Sequence, residues 1–296
     1  MESSLEIESL DTSKLLKDKN FNFRKDLYYL LNEYDSNNTN TIWHYTKMGI
    51  LEKMLTSDDV KIRFMHSKFT KDPSEGLILK RIYEDKKEAI LNSLNEDVRK
   101  EILKEQNKNI FDSYLFSTTY RKNCFTFWSK QYAGVDGVAI GFNKNIVEEQ
   151  FSKLPSKCKE DVLYINQSDI KNNVINTIVE FLNISYKSGK ENYNSLDFFW
   201  SIFPPLFKNE AWRNEKELRF ILYDAENSLE TKIEFCENKI IRCCDKSFNK
   251  DIISSVMLGP ACNDEQQKAV EKYLKDNGYK DIKVERSHAF DLQYKE

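Results

Sequence analysis

The chain has 296 residues, of which 40% are hydrophobic, 13% aromatic and 31% charged. This length can bury a full core without disulfide bonds, and the composition is that of a globular protein and excludes a disordered one. The 45 basic and 48 acidic residues give a formal net charge of -3, so no global positive field indicates a nucleic-acid-binding protein, although a local basic cleft is compatible with this balance.

The N-terminal residues and the cysteines predict a cytoplasmic protein. Residues 1–8 (MESSLEIE) are acidic and polar, whereas a signal peptide has a basic start and an apolar core. No stretch reaches the length of about eighteen apolar residues that a membrane-spanning helix needs. The six cysteines lack C-x-x-C spacing and only three histidines accompany them, so we expect free thiols in a reducing compartment and neither a bound metal nor a membrane partner.

The first predicted elements surround a strand that contains a histidine. Apolar residues at mixed helical spacing, followed by a polar run, predict an N-terminal helical arm over residues 1–40. Residues 41–45 (TIWHY) are β-branched and aromatic, which favours a strand. Thr46 is expected to N-cap a helix that begins near Lys47, and a second strand is predicted at 60–65.

The rest of the chain mixes strand and helix patterns. A charged helix or helix pair is predicted over 77–108. Further strands are predicted at 114–120, 137–142, 217–223, 232–235, 240–244, 253–258 and 282–285, and helices at 125–132, 173–186 and 264–275. This mixed order favours an α+β fold over a regular βαβ alternation. We therefore predict one α+β domain over residues 41–296 with helical insertions at about 77–110 and 165–210.

His44 is the first candidate for a functional side chain. A histidine inside an apolar strand either satisfies both ring nitrogens locally or faces a cleft, where one nitrogen meets a ligand. The residue alone leaves both alternatives open. Tyr45 follows it in the strand and should point to the opposite face, so the two side chains are not expected to line one cleft without a bend.

Glu215 and Glu217 form the second candidate pair. They share a face if the strand that contains 217–223 begins at Glu215. Two carboxylates beside an apolar strand could stabilise a developing cation or act as a base. The alternative is that they form ordinary ion pairs with Arg213 and Arg219.

Four other residues have both a structural and a functional interpretation. Asp72 and Glu75 flank Pro73 in a pattern typical of helix capping, but their carboxylates could also bind a hard cation. Trp128 and Tyr132 are four residues apart and would share a helical face, either in the core or as a stacking platform. The two remaining histidines, His66 and His288, have no neighbours in sequence that indicate a role.

These motifs together resemble a bacterial domain family of unknown function. The family pattern reads H-Y-T, N-D-P-x-E, W-x-x-Y, G-V-A-I-G-F, E-x-E-x-R and G-P, and its counterparts here run in the same order from about residue 42 to 285. Lys71 stands where the family usually has Asn, and the pair Trp128 and Tyr132 is spaced one residue wider than in the pattern.

The order of elements also resembles the core of the ADP-ribosyltransferases, through His44 at a strand end and a late strand headed by Glu217. This resemblance implies a mixed, mainly antiparallel split β-sheet with surrounding helices, and NAD as the substrate. It implies that His44 holds the adenosine ribose of NAD, and that Glu217 bonds the nicotinamide ribose and stabilises an oxocarbenium-like transition state. Glu215 corresponds to the first residue of a glutamate pair. The other NAD-binding candidates are the neighbours of His44 and the aromatic rings that could sandwich nicotinamide: Tyr45, Thr46, Phe69 and Tyr132.

The first functional hypothesis is therefore an NAD-dependent ADP-ribosyltransferase, as a toxin or antiphage effector that modifies nucleic acid or protein and is controlled by an antitoxin or another regulatory partner. The second is a non-enzymatic nucleic-acid- or protein-binding module of a defence system, which would stack bases on Trp128, Tyr132 and the aromatic residues 198–200. The third is a metal-dependent hydrolase or nuclease in which Asp72, Glu75 and Glu217 bind the cation.

Overall fold

The computed structural model describes residues 39–70, 76–104, 112–165, 203–224, 227–236 and 239–289, and short stretches at 175–176, 178–179, 182–183 and 200–201. The strands in these residues are β1 (Thr41–Thr46), β2 (Val60–His66), β3 (Ser113–Thr119), β4 (Val138–Asn143), β5 (Lys157–Asp161), β6 (Leu163–Ile165), β7 (Phe207–Asn209), β8 (Glu217–Tyr223), β9 (Lys232–Cys236), β10 (Lys239–Phe248), β11 (Ile253–Leu258) and β12 (Lys283–Arg286). The helices are α1 (Met48–Met54), α2 (Ile78–Ser93), α3 (Glu96–Lys104), α4 (Lys144–Phe151) and α5 (Asp264–Asp276). The predicted N-terminal arm and most of the predicted helix at 173–186 lie outside the described residues.

The strands form one large, mainly antiparallel sheet, so the α+β prediction is confirmed. Its order is β12-β11-β4-β1-β3-β2-β10-β9, and β8 and β5 extend it from β3. Only the pairing of β11 with β12 is parallel among the described strands of this sheet. A separate parallel pair, β6 with β7, lies beside it.

The sheet divides at β3, because two strands share one edge of it. β8 pairs with β3 along its whole length, from Ser113 to Thr119, and so occupies the other edge. On the shared edge, β1 pairs only at Thr119 and β2 pairs at Leu115 and Tyr114. Residues 116–118 therefore lie between β1 and β2, and we call this opening the sheet split.

Two hydrophobic clusters cover the two faces of β3 and β8. Leu115 and Ile221 pack with the apolar faces of α2 and α3. Phe116 and Phe220 point to the other face, where they pack with residues of α1, α4 and α5. Because successive side chains of a strand alternate between faces, every residue of β8 is buried, including its charged ones.

Glycines allow the backbone to pass very close to itself beside β4. A Cβ atom on Gly137 would collide with the backbone of Ala133, and one on Gly259 would collide with the carbonyl group of Val135. A Cβ atom on Gly141 would lie 2.6 Å from the Ser255 hydroxyl. The close backbone approach predicted from the glycines of the β4 segment is therefore confirmed.

Most strands that the sequence predicted are present, with ends that differ by a few residues. The predicted aromatic helix at 125–132 is wrong, since only a short 3-10 turn, Phe125–Trp128, forms there. The prediction that Thr46 caps α1 is also wrong, because the N-cap is Lys47 and no side chain caps it. Three strands were missed, because β5 is highly charged and β6 and β7 have three residues each. None of the helices in the described residues combines the length and apolar character that crossing a membrane requires.

Candidate active site

A cavity of about 240 Å³ opens at the sheet split. We call it the cleft. Its walls come from β1, β2, β3, the turn after β2, the aromatic turn after β3 and the segment that leads into β8. The lining residues are Trp43, His44, Tyr45, Arg63, Met65, Phe69, Thr70, Leu115, Phe116, Ser117, Thr118, Thr119, Phe127, Gln131, Tyr132, Lys208, Trp212, Glu215 and Glu217.

His44 and Tyr45 both line the cleft, so the expectation that they could not do so is wrong. That expectation assumed a cleft on one face of the sheet, whereas this one opens at the free edge between two strands, which both faces reach. The Nδ1 atom of His44 lies 2.9 Å from the carbonyl oxygen of Ser117, and the imidazole ring lies 4.8 Å from the Phe116 ring centroid. Thr46 is not among the residues that line the cleft.

Tyr45 fixes the aromatic wall. Its ring stacks on Phe127 at 4.7 Å and meets Trp128 edge-on at 5.0 Å. Its hydroxyl donates to the carbonyl of Arg121 at 3.2 Å and accepts the N–H of Cys124 at 3.3 Å. Burial raises the pKa of Tyr45 above its ordinary value, so the phenol stays neutral and keeps the proton that it donates to Arg121.

The turn that leads into β8 places the two glutamates together. Asn209 accepts the N–H of Ala211 at 2.9 Å and starts a 3-10 turn, Glu210–Glu215, which ends at Lys216 with a left-handed backbone (φ 43°). The strand begins only at Glu217. The glutamates are thus neighbours because of this turn and not through strand alternation, which was the condition of the prediction.

Four buried charged side chains meet at the bottom of the cleft, and we call them the charge quartet: Lys208, Glu215 and Glu217, which line the cleft, and Arg219, which lies behind Glu217 and does not. The Lys208 ammonium lies 2.5 Å from Glu215 Oε2 and 3.2 Å from Glu217 Oε2. Arg219 donates two hydrogen bonds to the Glu217 carboxylate, from Nε at 2.7 Å and from Nη2 at 3.0 Å. The predicted ion pair of Glu217 with Arg219 is confirmed, but Arg213 pairs with Glu210 and the cation next to Glu215 is Lys208.

The two glutamates differ in their affinity for a proton. Burial raises the pKa of Glu217, but the Arg219 guanidinium and the Lys208 ammonium outweigh burial and lower that pKa to about 2. Burial raises the pKa of Glu215, the Lys208 charge opposes this effect, and the negative charge of Glu217 reinforces it, so that this pKa lies above its ordinary value. Two neighbouring carboxyls with pKa values pushed apart are a common arrangement for an acid or base beside a fixed negative charge.

Tyr132 and Phe69 are the other predicted residues that reach the cleft. The Tyr132 hydroxyl donates to Oε1 of Glu215, which links the aromatic wall to the charge quartet. Phe69 is 38% exposed and its ring lies edge-on to His66 at 5.5 Å. Both rings are accessible from the cleft.

Trp128 is not accessible, because only 1% of it is exposed and it packs in a core cluster with Trp43. The core interpretation of Trp128 is therefore right, and base stacking on it, which the binding-module hypothesis required, is wrong. Trp200, from the aromatic residues 198–200, is also buried, and its neighbours 198 and 199 lie outside the described residues.

Asp72 and Glu75, the predicted cation ligands, also lie outside the described residues. Among the residues that the structure describes, no three His, Cys, Asp or Glu side chains are grouped to hold a metal ion.

Sequence reasoning missed Lys208 and the role of His66. Lys208 lies in a three-residue strand, and a lysine at the end of an apolar run gave the only signal for it. His66 is buried, its Nε2 atom lies 3.0 Å from Asp112 and its Nδ1 atom accepts the N–H of Lys68 at 3.0 Å. It thereby anchors the turn that carries Phe69, and only the fold brings Asp112 to it.

Comparison with known proteins adds a match to one family. A family model described as "Protein of unknown function (DUF2971)" matches residues 127–220. This segment contains Trp128, Tyr132, the glycines of β4 and both glutamates of the charge quartet, so the match supports the resemblance to a domain family of unknown function over about a third of the chain. Searches of curated proteins and of solved structures gave no match.

Proposed function

We propose that the protein is an NAD-dependent ADP-ribosyltransferase with its active site in the cleft. One observation carries the proposal: His44, Tyr132 and the pair of Glu215 and Glu217 come from three separate segments of the chain but line a single cavity at the sheet split. A histidine, accessible aromatic rings and a pair of carboxylates with different pKa values are the groups that this reaction needs in one place.

In the proposed reaction, the bond between C1′ of the ribose and the nicotinamide nitrogen breaks, and its electron pair leaves with nicotinamide and neutralises the pyridinium charge. Positive charge develops on the ribose, and Glu217 is ionised at neutral pH and fixed close by to stabilise it. A nucleophilic atom of the acceptor then bonds to C1′ and gives up a proton. Glu215, with its raised pKa, takes that proton.

Lys208 must move before a substrate can bond Glu217. A carboxylate has about four lone-pair sites, and Glu217 already bonds Arg219 twice, Lys208 and the Ser117 side chain. The charge quartet also has no net formal charge, so it stabilises a cation only weakly while Lys208 stays in place. A ribose hydroxyl that displaces the Lys208 ammonium would both find a free lone pair and expose the negative charge of the carboxylates.

The aromatic walls provide a second part of the site. Phe69 and Tyr132 reach the cleft from different segments, and the flat wall of Tyr45 and Phe127 lies beside Tyr132. Apolar rings of this kind bind the planar nicotinamide and exclude water from the glycosidic bond. We further propose a cytoplasmic setting and a role as a toxin or antiphage effector, in which buried thiols such as Cys243 and Cys244 stay reduced.

Calorimetric titration with NAD and measurement of nicotinamide release test the proposal. The purified chain should bind NAD and release nicotinamide, and Tyr132→Phe, which removes only the hydroxyl that Glu215 accepts, should change the rate more than the affinity. Tyr83→Phe is the matched control, because Tyr83 is a buried tyrosine on α2, outside the cleft. Absence of NAD binding by a chain that is folded by circular dichroism would overturn the proposal.

A further inference from the structure

A second cavity, larger than the cleft, lies behind the segment that follows β3. We call it the hollow. It has a volume of about 670 Å³ and is lined by Thr39, Tyr120, Arg121, Lys122, Asn123, Cys124, Phe125, Thr126, Asn214 and Lys216. None of the residues that line the cleft also lines the hollow, so the hollow needs its own explanation.

The hollow is basic in a protein that carries a net negative charge. Arg121, Lys122 and Lys216 contribute three cations, and none of the described residues that line it is acidic. Lys122 forms an ion pair at 2.6 Å with Glu285, which is outside the lining. A concave surface with this concentration of positive charge attracts a polyanion, and phosphate groups in particular.

An aromatic ring and two amides accompany the cations. Phe125 is 52% exposed although it is large and apolar, and it lies beside Asn123 and Asn214 in the lining. Exposed rings next to cationic side chains are the usual platform for bases of single-stranded nucleic acids, because every base has a face that can stack. The Asn214 amide can both donate to and accept from a base edge. The Oδ1 atom of Asn123 already accepts from Trp128 and Ser287, so this side chain offers its NH2 group as a donor. A polymer of acidic residues alone would use the cations but has no flat or apolar group to pack on this ring.

The hollow is directly joined to the charge quartet. Lys216 lies in the chain between Glu215 and Glu217, and its left-handed backbone ends the turn that holds them. Its carbonyl accepts the N–H of Tyr120 at 3.3 Å, and the Thr119 hydroxyl donates to the carbonyl of Glu215 at 2.5 Å. One thin wall of backbone therefore separates the glutamates from the basic surface.

The wall is also fixed from the side of the cleft. The Tyr45 hydroxyl bonds the backbone at Arg121 and Cys124, and Asn123 accepts the indole N–H of Trp128 at 3.4 Å. The segment 121–124 is thus held between cleft and hollow, and its two basic residues, Arg121 and Lys122, line the hollow.

We propose that the hollow binds the acceptor of the reaction and that this acceptor is a single-stranded nucleic acid. Its phosphates lie against Arg121, Lys122 and Lys216, one base stacks on Phe125, and the next nucleotide reaches over the wall to the glutamates. The role of the nucleic acid as acceptor rests on the proposed function. Its binding to the hollow does not depend on NAD.

Fluorescence anisotropy with labelled oligonucleotides of about ten nucleotides tests it on the full chain without NAD. We expect single-stranded RNA or DNA to bind, with an affinity that falls steeply as salt rises. Arg121→Gln should make the negative slope of log affinity against log salt shallower by about 1. Phe125→Leu should weaken binding about tenfold with little change in that slope, since it removes stacking and no charge.

Lys268→Gln, on the exposed face of α5, is the matched control for loss of one positive charge and should leave binding unchanged. Parallel titrations with RNA and with DNA oligonucleotides show which polymer the hollow prefers. Equal losses in Lys268→Gln and Arg121→Gln, tighter binding of poly-glutamate than of oligonucleotides, or no binding at low salt would each overturn the inference.

The outcomes separate the two proposals. Oligonucleotide binding without any reaction of NAD would refute the proposed function and leave the inference standing, whereas NAD cleavage by a chain that binds no oligonucleotide would refute the inference alone.

Discussion

The Nδ1 atom of His44 lies 2.9 Å from the carbonyl oxygen of Ser117, at the point where β1 and β2 leave the same edge of β3. A carbonyl oxygen only accepts hydrogen bonds, so Nδ1 carries the proton and, in the neutral ring, Nε2 is an acceptor. The sheet split therefore supplies both an opening and a histidine of fixed tautomer. A ligand hydroxyl is the kind of donor that such a histidine binds.

Two substitutions at His44 separate its structural bond from its proposed ligand bond. Asn can still donate to the Ser117 carbonyl from about the position of Nδ1, but it has no counterpart of Nε2, and Ala has neither. We expect both variants to bind NAD about tenfold more weakly, and only His44→Ala to lose about 1 kcal/mol of stability. Calorimetric titration and urea unfolding measure the two effects. Full NAD affinity in His44→Asn would show that the ligand makes no use of Nε2.

Removing the cation of Lys208 should raise the pKa of Glu215. Burial already raises this pKa and the Lys208 charge opposes burial, so Lys208→Met should move it further in the same direction. A titration of the Glu215 carboxyl carbon by NMR measures the change, with Lys268→Met as control. Because loss of one partner of a buried ion pair costs roughly 3–5 kcal/mol, the fold of the variant must be verified by its NMR spectrum. A lower pKa would contradict the geometry of the charge quartet.

Glu217 should make the stability of the fold sensitive to acid. Its pKa in the folded chain is lowered to about 2 from 4.5, so its contribution is complete above pH 4.5 and is lost as the pH falls toward about 2. Glu217→Gln has no such charge to lose. The difference in free energy of unfolding between the two proteins should therefore shrink between about pH 5 and pH 3, by urea unfolding at each pH. Glu88→Gln, on the exposed face of α2, is the control, and a difference that stays constant with pH would rule out the ionised Glu217.

Gly259 and Gly49 should respond in opposite ways to a methyl group. A Cβ atom on Gly259 would collide with the carbonyl of Val135, whereas Gly49, inside α1, has nothing within 4 Å. Gly259→Ala should lower the free energy of unfolding by about 1–3 kcal/mol. Gly49→Ala should be neutral or stabilising by up to about 1 kcal/mol, because alanine favours a helix. Urea unfolding of both variants measures this, and equal effects would mean that the close crossing beside β4 is absent.

Local patterns predicted the parts of the fold that local physics determines. The β-branched and aromatic residues of β1 and the apolar face of α5 indicated these elements directly, and the ends of β8 and β11 agree with the structure. The arrangement of β1 and β2 on one edge of β3 depends on pairings between residues far apart in the chain. No local pattern contains that information, and the expectation that His44 and Tyr45 could not line one cleft failed for this reason.

The sequence indicated several residues of the candidate site but not the side chains that pair with them. His44, Tyr132, Glu215 and Glu217 were singled out by their types and order, and they do meet in the cleft. Lys208 and the pairing of His66 with Asp112 were missed, because a buried lysine and a paired histidine acquire their partners only in three dimensions. Lys208 contributes to the pKa values of both glutamates, on which the proposed chemistry depends.

Transfer of label from NAD to a macromolecule tests directly whether the protein is an ADP-ribosyltransferase. The chain is incubated with cell lysate and NAD labelled in its ADP-ribose part, and the nucleic-acid and protein fractions are counted separately. We expect nuclease-sensitive label with the unmodified chain and a loss of about 100-fold or more with Glu217→Gln, at equal folded fraction by circular dichroism. No transferred label, or equal transfer by the two proteins, would contradict it.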